Sequence, residues 1–470
     1  MALLITQQPF YDTLPIGQQI IFAVSDPTIV ALKYKVKYVA QVHVSNFPIN
    51  PSNNNALIGT FKTTPNNAGV GIFDLRPILE TFVKPDHEPQ TNIVTSSDSE
   101  YKGVKAQDTM FPIHLVDKFA ISKNSMQRFA INFFIEYSET ATGAVIDFTT
   151  LDPTSSDSYK MFNGVIQYDE VLDVYQNDYG FNINKYYLDG PSRHLLTTAP
   201  DTQYARLEDY GTLSFLHIAY QPDFPFYGFN INYRDSAGGS LGGEVVQWVT
   251  ANGGATSQGP LSNTRLNYFG AFPANLKNWS STFATAVTNG LSYYTVQAVG
   301  SGVGEIWSKP YTINIQCPNL KGYEGVRLTW LNKWGTWDYY TFNMKSTRSV
   351  TTNRTSYTQL GGTWNERAFK IAGYKGGKKN FRVNSTEKIK LNTDFVTEAD
   401  GVWFEQLINS PEVYVLEGFQ TDGNFSSLNN YVEPATVTTS SYIRKTIAND
   451  RLMQYTFEIE KSKMKRTQSV

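Results

Sequence analysis

The chain has 470 residues, of which 41% are hydrophobic, 14% aromatic and 17% charged; this composition excludes an intrinsically disordered protein and allows several hydrophobic cores. Its formal net charge of -2 excludes a strongly basic nucleic-acid-binding chain, and its single cysteine, Cys317, excludes an intrachain disulfide framework. The many Tyr, Phe, Thr and Ser residues favour β structure.

The charges are distributed unevenly along the chain. Residues 1–320 carry 19 Lys and Arg against 27 Asp and Glu, whereas residues 321–470 carry 21 against 15. An acidic first part and a basic last part of the chain favour head-to-tail or layered contacts between charged protein surfaces.

The first residues, MALLITQQPFYD, contain no basic segment, and their apolar run ends at Ile5. We therefore expect no secretory signal. No window of eighteen or more apolar residues occurs, so we expect no membrane contact and synthesis in a reducing cytoplasm.

Residues 1–155 are predicted to form an N-terminal β-sandwich-like domain. The sequence ALKYKVKYVAQVHV (31–44) alternates apolar and polar side chains and predicts a half-buried strand. FAINFFIEY (129–137) and AVIDF (144–148), separated by a turn-forming stretch, predict a hairpin. IFDLRPILETFV (72–83) predicts one short helix that Asp74 opens, with Pro77 in its first turn and an apolar face of Ile78, Leu79 and Phe82.

Residues 156–316 are predicted to form a second β-sandwich. Strands separated by glycine-rich turns are predicted at TLSFLHIAY (212–220), FYGFNINYRD (226–235), GEVVQWV (243–249) and SYYTVQAVG (292–300). The end of this segment is typical of the last strands of an immunoglobulin or fibronectin type III sandwich.

Residues 317–470 are predicted to form a C-terminal β-rich α+β domain. Its strands are predicted at GVRLTWL (325–331), YYTFNM (339–344), KKNFRV (378–383) and EKIKLN (387–392). One helix is predicted at 398–408, with Thr397 as N-cap and Asp400 at the third helical position. Its predicted apolar stripe consists of Val402, Trp403, Leu407 and Ile408, with Phe404 flanking it. The expected fold class is therefore mainly β, with tandem sandwiches before this domain.

The sequence offers little chemistry. The five histidines, His43, His87, His114, His194 and His217, show no metal-ligand spacing, and no nucleotide-binding or nucleophile motif occurs. The run 168–190 holds Asp169, Glu170, Asp173 and Asp178, which could serve as catalytic carboxylates, but an interface loop bearing Tyr168, Tyr175 and Tyr179 is the favoured interpretation. We expect no enzyme activity, metal or cofactor.

The region 345–390 is strongly basic. It contains eleven Lys and Arg residues but only two acidic residues, Glu366 and Glu387. The candidate interface residues are Lys345, Arg348, Arg354, Lys375, Lys378, Lys379 and Arg382. An acidic protein neighbour is favoured over DNA because the chain as a whole is not basic.

The stretch LTWLNKWGTWDYYTF (328–342) concentrates three tryptophans, Trp330, Trp334 and Trp337. A sugar-binding platform would place its rings on one exposed face. Here the rings alternate over both faces, so packing in a core or at an interface is the favoured interpretation.

Several segments together resemble the virion structural proteins of tailed bacteriophages that infect Bacteroidetes, crAss-like phages among them. They are FDLRPILETFV (73–83), RLNYFGAFPANL (265–276) and, most specifically, much of 325–460, which includes RLTWLNKWGTWDYYTF and STRSVTTNRTSYTQL. The resemblance implies a virion component of the tail or neck and supplies no catalytic residues.

The hypothesis is thus a structural ring subunit of a phage tail tip, baseplate or head-to-tail neck, assembled in the host cytoplasm. Its partners would be other copies of itself and other tail or neck proteins, with DNA in the lumen as a less favoured partner. A receptor- or carbohydrate-binding tail module is the alternative, and a glycan-degrading enzyme ranks below it.

Overall fold

A computed structural model describes residues 3–45, 56–89, 112–166, 183–217, 226–247, 266–300, 304–316, 322–363, 366–417, 431–443 and 453–466. The protein is mainly β, as predicted, and its sheets are largely antiparallel. It divides into two compact units. Unit 1 comprises Met1–Gln316 together with Leu331–Asp338, and unit 2 comprises Cys317–Trp330 together with Tyr339–Val470.

The elements that precede residue 317 all belong to unit 1. In chain order they are β1 (Leu4–Gln7), β2 (Thr13–Pro15), β3 (Ile21–Ser25), α1 (Pro27–Leu32), β4 (Tyr34–Ser45), β5 (Leu57–Thr63), β6 (Val70–Asp74), α2 (Arg76–Leu79), β7 (Phe119–Ile121), β8 (Met126–Ser138), β9 (Val145–Ile146), β10 (Thr154–Ser155), β11 (Tyr159–Phe162), β12 (Tyr187–Leu188), β13 (Thr202–Ala205), β14 (Thr212–His217), β15 (Phe226–Arg234), β16 (Ser240–Gln247), β17 (Asn267–Gly270), α3 (Pro273–Lys277), α4 (Ser281–Thr288), β18 (Tyr293–Gly300) and β19 (Tyr311–Ile315).

The first sandwich of unit 1 packs the sheet β1-β3-β6 against the sheet β2-β11-β8-β4-β5, to which β9 and β10 add through β8. Aromatic rings fill the space between the two sheets. Phe22 of β3 lies 5.7 Å from Phe133 and 6.5 Å from Phe129 between ring centroids, and Phe73 of β6 lies 5.7 Å from Phe133. The predicted hairpin is confirmed, because β8 pairs with β9 at Tyr137 and Ile146.

The second sandwich packs the sheet β12-β14-β17-β7 against the sheet β13-β19-β18-β15-β16. Phe229 of β15 lies at the centre of its core. Its ring stacks on Phe269 of β17 at 4.7 Å and meets Phe215 of β14 edge-on at 5.1 Å. The predicted pairing of the last two strands, β18 and β19, is present and antiparallel.

The two sandwiches exchange strands along the sequence. β7 precedes residue 155 but pairs with β17 of the second sandwich, whereas β11 follows residue 156 but pairs with β8 and β2 of the first. The predicted boundary at 155/156 therefore does not separate two sets of strands. Strand pairing is non-local, and no change in composition marks such an exchange.

The strand predicted at 31–44 starts later than expected. Ala31 and Leu32 belong to α1, whose N-cap Asp26 accepts hydrogen bonds through its carboxylate from the backbone amides of Thr28 (3.1 Å) and Ile29 (3.0 Å). The pairing of β4 with β8 then shifts register after Tyr34. The prediction was wrong here because a polar N-cap followed by proline begins a helix more strongly than alternation extends a strand.

The short helix predicted within 72–83 is present as α2, followed by a 3₁₀ turn at Glu80–Phe82. Leu79 is its buried residue, whereas Phe82 of the predicted apolar face is exposed. The helices α3 and α4 were not predicted, although Ser280 is a favourable N-cap for α4.

The remaining elements follow residue 317. They are β20 (Val326–Leu331), β21 (Trp337–Phe342), β22 (Thr347–Gln359), β23 (Gly377–Asn392), α5 (Glu398–Asn409), β24 (Val413–Leu416), β25 (Val432–Val437) and β26 (Thr456–Lys461). These strands form one sheet in the order β21-β20-β24-β25-β26-β23-β22, so that β22 lies at its edge.

The predicted helix 398–408 is confirmed as α5 with its capping box. The Thr397 hydroxyl accepts from the Asp400 amide (3.2 Å), and the Asp400 carboxylate accepts from the Thr397 amide (2.9 Å). The buried face is rotated from the predicted stripe, because Phe404 is buried whereas Val402 is 47% exposed. Within the described ranges no helix is both long and apolar enough to cross a bilayer.

Candidate interaction surface

The strands β22 and β23 form a long hairpin, here called the arm (347–392). Thirteen residues of β22 pair antiparallel with β23, from Thr347 opposite Lys390 to Gln359 opposite Gly377. At about 3.4 Å per residue, such a strand is roughly 40 Å long. Only its base is held in the sheet, because β23 pairs with β26 solely over Lys388–Asn392.

The outer part of the arm is here called the distal arm (354–363 and 366–383). Among the described residues, no hydrogen bond, ion pair or ring contact joins it to a residue outside it. No other described part of the chain therefore covers the faces or the edges of this two-stranded ribbon. A two-stranded hairpin with no packed face is at best marginally stable in water, so an arm of this kind is typical of a segment that a partner covers.

Basic side chains cover both faces of the distal arm. Arg382 and Lys379 lie opposite Thr355 and Tyr357 on one face, and Lys378 lies on the other. Five of the seven predicted basic residues belong to the distal arm and form no ion pair within the described chain: Arg354, Lys375, Lys378, Lys379 and Arg382. Lys345 precedes the arm and is exposed.

Arg348 has a different role from the other six residues. It lies at the base of the arm, where its guanidinium donates to the carboxylates of Glu387 (3.1 Å), Glu324 (3.2 Å) and Glu417 (2.9 Å). Lys465 also donates to Glu387, at 2.7 Å. The hydrogen bonds from Lys465 and Arg348 hold the pKa of Glu387 below its usual value. Arg348 therefore anchors the arm in its own sheet rather than offering charge to a partner.

Large apolar side chains also project from the distal arm, which the sequence analysis did not predict. The connection between its strands exposes Leu360, Phe369, Ile371 and Tyr374, the last two by 85% and 83%. On the ribbon, Tyr357 and Phe381 are about half exposed. A cluster of exposed large apolar groups marks an interaction site. The sequence feature that could have indicated this apolar cluster is AFKIAGYKGGKK, in which apolar residues alternate with lysines between glycines.

The three tryptophans of 328–342 lie inside the protein, with exposures of 0% for Trp330, 3% for Trp334 and 2% for Trp337. Within unit 2, the Trp330 ring packs on Trp403 at 4.9 Å. Within unit 1, the Trp334 ring lies 4.3 Å from Tyr186. These rings serve in core packing, so they are available neither to a partner at an interface nor to a sugar.

Trp337 is held by a hydrogen bond as well as by packing. Its indole Nε1–H donates to the backbone carbonyl of Asp86 at 2.8 Å, and its ring lies between His87 (5.7 Å) and His114 (5.2 Å). Next to it, the Asp338 carboxylate accepts from the hydroxyls of Thr197 and Thr198. The segment 331–338 is thereby built into unit 1.

Tyr168, Tyr175 and Tyr179, with the nearby run of carboxylates and Cys317, lie outside the described residues. Across the ranges that are described, no group of three or more His, Cys, Asp or Glu is placed to hold a metal ion. The arm is therefore the feature of the described chain that most clearly serves binding.

No protein-family model matches the sequence, and no curated protein matches it significantly.

Proposed function

We propose that the chain is a structural subunit of a tailed-phage virion that forms a ring in the tail, at the tail tip, baseplate or head-to-tail neck. It assembles in the host cytoplasm by binding copies of itself and other virion proteins. The observation that carries the proposal is the distal arm, which exposes both faces of a β-ribbon and contacts nothing else in the described chain.

The resemblance of 325–460 to virion proteins supports this class of function. The two packed sandwiches of unit 1 supply the body of the subunit. The arm exposes large apolar side chains and a two-stranded ribbon, and exposure of both to water is energetically unfavourable. A contact between an arm and a different surface of the next copy is heterologous. Repetition of a heterologous contact closes into a ring when the rotation between copies allows it.

The first experiment measures the mass of the purified protein over a range of concentrations by sedimentation velocity and native mass spectrometry. We expect discrete oligomers that negative-stain microscopy shows as rings. Mass spectrometry of purified virions from the source phage then tests location, with antibody labelling to place the chain in the tail. A protein that stays monomeric at every concentration and is missing from virions would overturn the proposal.

A glycan array separates this function from a carbohydrate-binding module. A ring subunit gives no saturable binding to any glycan, and we expect that result because the tryptophans of 328–342 are buried. Saturable binding by a monomeric protein would favour the receptor-binding alternative.

A further inference from the structure

The two units of the protein carry net charges of opposite sign. Unit 1 carries 28 Asp and Glu against 20 Lys and Arg, a balance of -8, and unit 2 carries 14 against 20, a balance of +6. Residues 345–390 alone hold eleven basic and two acidic residues, so the remainder of unit 2 is acidic by three charges. The positive balance of unit 2 thus comes entirely from residues 345–390, nearly all of which belong to the arm.

We infer that the distal arm docks on unit 1 of a second copy of the same chain, in a head-to-tail contact. The inference rests on the self-association in the proposed function and adds which two surfaces meet. Opposite charge steers the arm of one copy to the acidic unit of the next, and like charge disfavours contact between two arms. An arm-to-arm dimer is therefore disfavoured.

The apolar residues of the distal arm favour a protein partner over a nucleic acid. Leu360, Phe369 and Ile371 are exposed by 63%, 69% and 85%. Aliphatic side chains gain nothing from phosphates, and surfaces that bind nucleic acids are more polar than this one. Aromatic and aliphatic groups mixed with arginine are typical of the centre of a protein–protein interface.

The edge of the arm offers a second means of attachment. Among the described residues β22 pairs only with β23, so its other edge has no strand partner in that part of the chain. Such an edge accepts a further strand or loop by backbone hydrogen bonding. Docking on unit 1 of a neighbour would cover this edge and the apolar side chains together.

The test compares two triple variants that change the net charge equally. The arm variant is Lys378→Glu, Lys379→Glu, Arg382→Glu. The control variant is Lys84→Glu, Lys277→Glu, Lys309→Glu, which alters exposed lysines of unit 1 that form no ion pair within the described chain. Because the distal arm contacts nothing else in that part of the chain, the arm variant should keep the melting temperature of the wild type.

We expect the arm variant to raise the dissociation constant for self-association 10- to 100-fold, as judged by sedimentation. The control variant should leave it unchanged or lower it, because unit 1 becomes more acidic. Equal weakening in both variants would overturn the inference, since it would reflect net charge alone. Self-association that resists the arm variant would also overturn it, while the proposed ring function would stand.

Carbodiimide coupling of lysines to carboxylates identifies the docking surface directly. A mixture of ¹⁵N-labelled and unlabelled protein is coupled and digested, and mixed-isotope peptides report contacts between copies. We expect Lys375, Lys378 or Lys379 joined to carboxylates of unit 1. Links confined to unit 2 would overturn the inference.

A DNA probe tests the competing partner. If a 30-base-pair duplex binds the wild type in 150 mM salt, and the arm variant loses this binding but keeps self-association, the arm is a nucleic-acid surface and the inference is wrong. A wild type that is monomeric and does not bind DNA would remove both the inference and the ring function.

Discussion

Trp337 and Asp86 are 251 positions apart in the sequence, yet the indole nitrogen of Trp337 donates to the backbone carbonyl of Asp86 at 2.8 Å in a buried site. This single bond ties the tryptophan-rich segment to a loop in the first quarter of the chain. It also shows why the segment is core: a buried carbonyl needs a donor, and the indole supplies both the donor and apolar area.

We predict that Trp337→Phe lowers the free energy of unfolding by more than Trp334→Phe does, by about 1–2 kcal/mol. Both substitutions remove a similar apolar area. Only the first leaves a buried acceptor without its donor, because the Trp334 Nε1 has no hydrogen-bond partner among the described residues. Urea denaturation of the two variants measures the difference. Equal losses would show that the Asp86 bond contributes no net stability.

The second prediction concerns a substitution at Gly335, within the tryptophan-rich segment. Its φ is +69°, and a Cβ at this position would lie 1.5 Å from the backbone oxygen of Asn163. Gly335→Ala combines a left-handed conformation with a clash against backbone, and we expect a loss of about 2–4 kcal/mol. Gly290→Ala is the matched control, because Gly290 also has a positive φ of +87° but open space around its Cβ. The control should cost about 1 kcal/mol; similar losses in the two variants would contradict the packing of 331–338.

The raised pKa of Asp117 leads us to predict that the stability of the protein depends on pH. Burial raises its pKa to about 6, although Asn278 donates a hydrogen bond to its carboxylate. A folded-state pKa above the unfolded value of about 3.9 means that the folded chain binds more protons between these values. The contribution of this group is thus fully present below about pH 4 and is lost as the pH rises through about 6.

Asp117→Asn removes the buried charge and keeps an acceptor for Asn278. We expect the variant to be more stable than the wild type at pH 8, by up to about 3 kcal/mol, and to match it near pH 4. Thermal unfolding at several pH values measures the difference. The exposed Asp152→Asn control should stay within about 0.5 kcal/mol of the wild type. A gain that does not depend on pH would contradict the assignment.

At the base of the arm, the lowered pKa of Glu387 leads us to predict the opposite pH dependence of stability. Glu387 accepts hydrogen bonds from Arg348 and Lys465, and its pKa is depressed, so its contribution is present above the unfolded pKa and is lost as the pH falls through the folded value. Glu387→Gln should cost about 1–3 kcal/mol at pH 7 and little once the pH is below the depressed pKa of Glu387 in the folded state.

Hydrogen exchange locates this effect. Amides of Ser385 and Lys465, which bond to each other's carbonyls across the base, should exchange faster in Glu387→Gln. The exposed Glu366→Gln variant, within the arm's connection, should leave them unchanged. Unchanged protection in both variants would show that the arm is held without the ion pairs.

Several local elements were predictable because their signals are short in range. The capping box of Thr397 and Asp400 marks the start of α5 within one turn of the chain, and alternation in SYYTVQAVG marks β18. Burial within α5 was less predictable. Trp403 and Leu407 of the predicted stripe are buried, whereas Val402 is exposed. The flanking Phe404 is fully buried because the rings of Tyr340 and Phe457 face it, and these residues are distant in sequence.

The basic character of 345–390 was readable from composition, but the arm itself was not. β22 reads TRSVTTNRTSYTQ, which has strand-forming threonines but no alternation of apolar residues, because neither of its faces meets a core. The separation of Arg348 from the other basic residues also escaped prediction, since its glutamate partners at 324 and 417 are distant in sequence.

What the sequence by itself determined is therefore local: the β class, the C-terminal helix α5 and the uneven charge, each set by side chains within a few positions of one another. The tertiary structure decided which strands belong to which sandwich, that the tryptophans face inward, and that the basic residues stand on a ribbon with no core. These outcomes depend on contacts between residues tens to hundreds of positions apart, and such contacts leave no periodic trace in the chain.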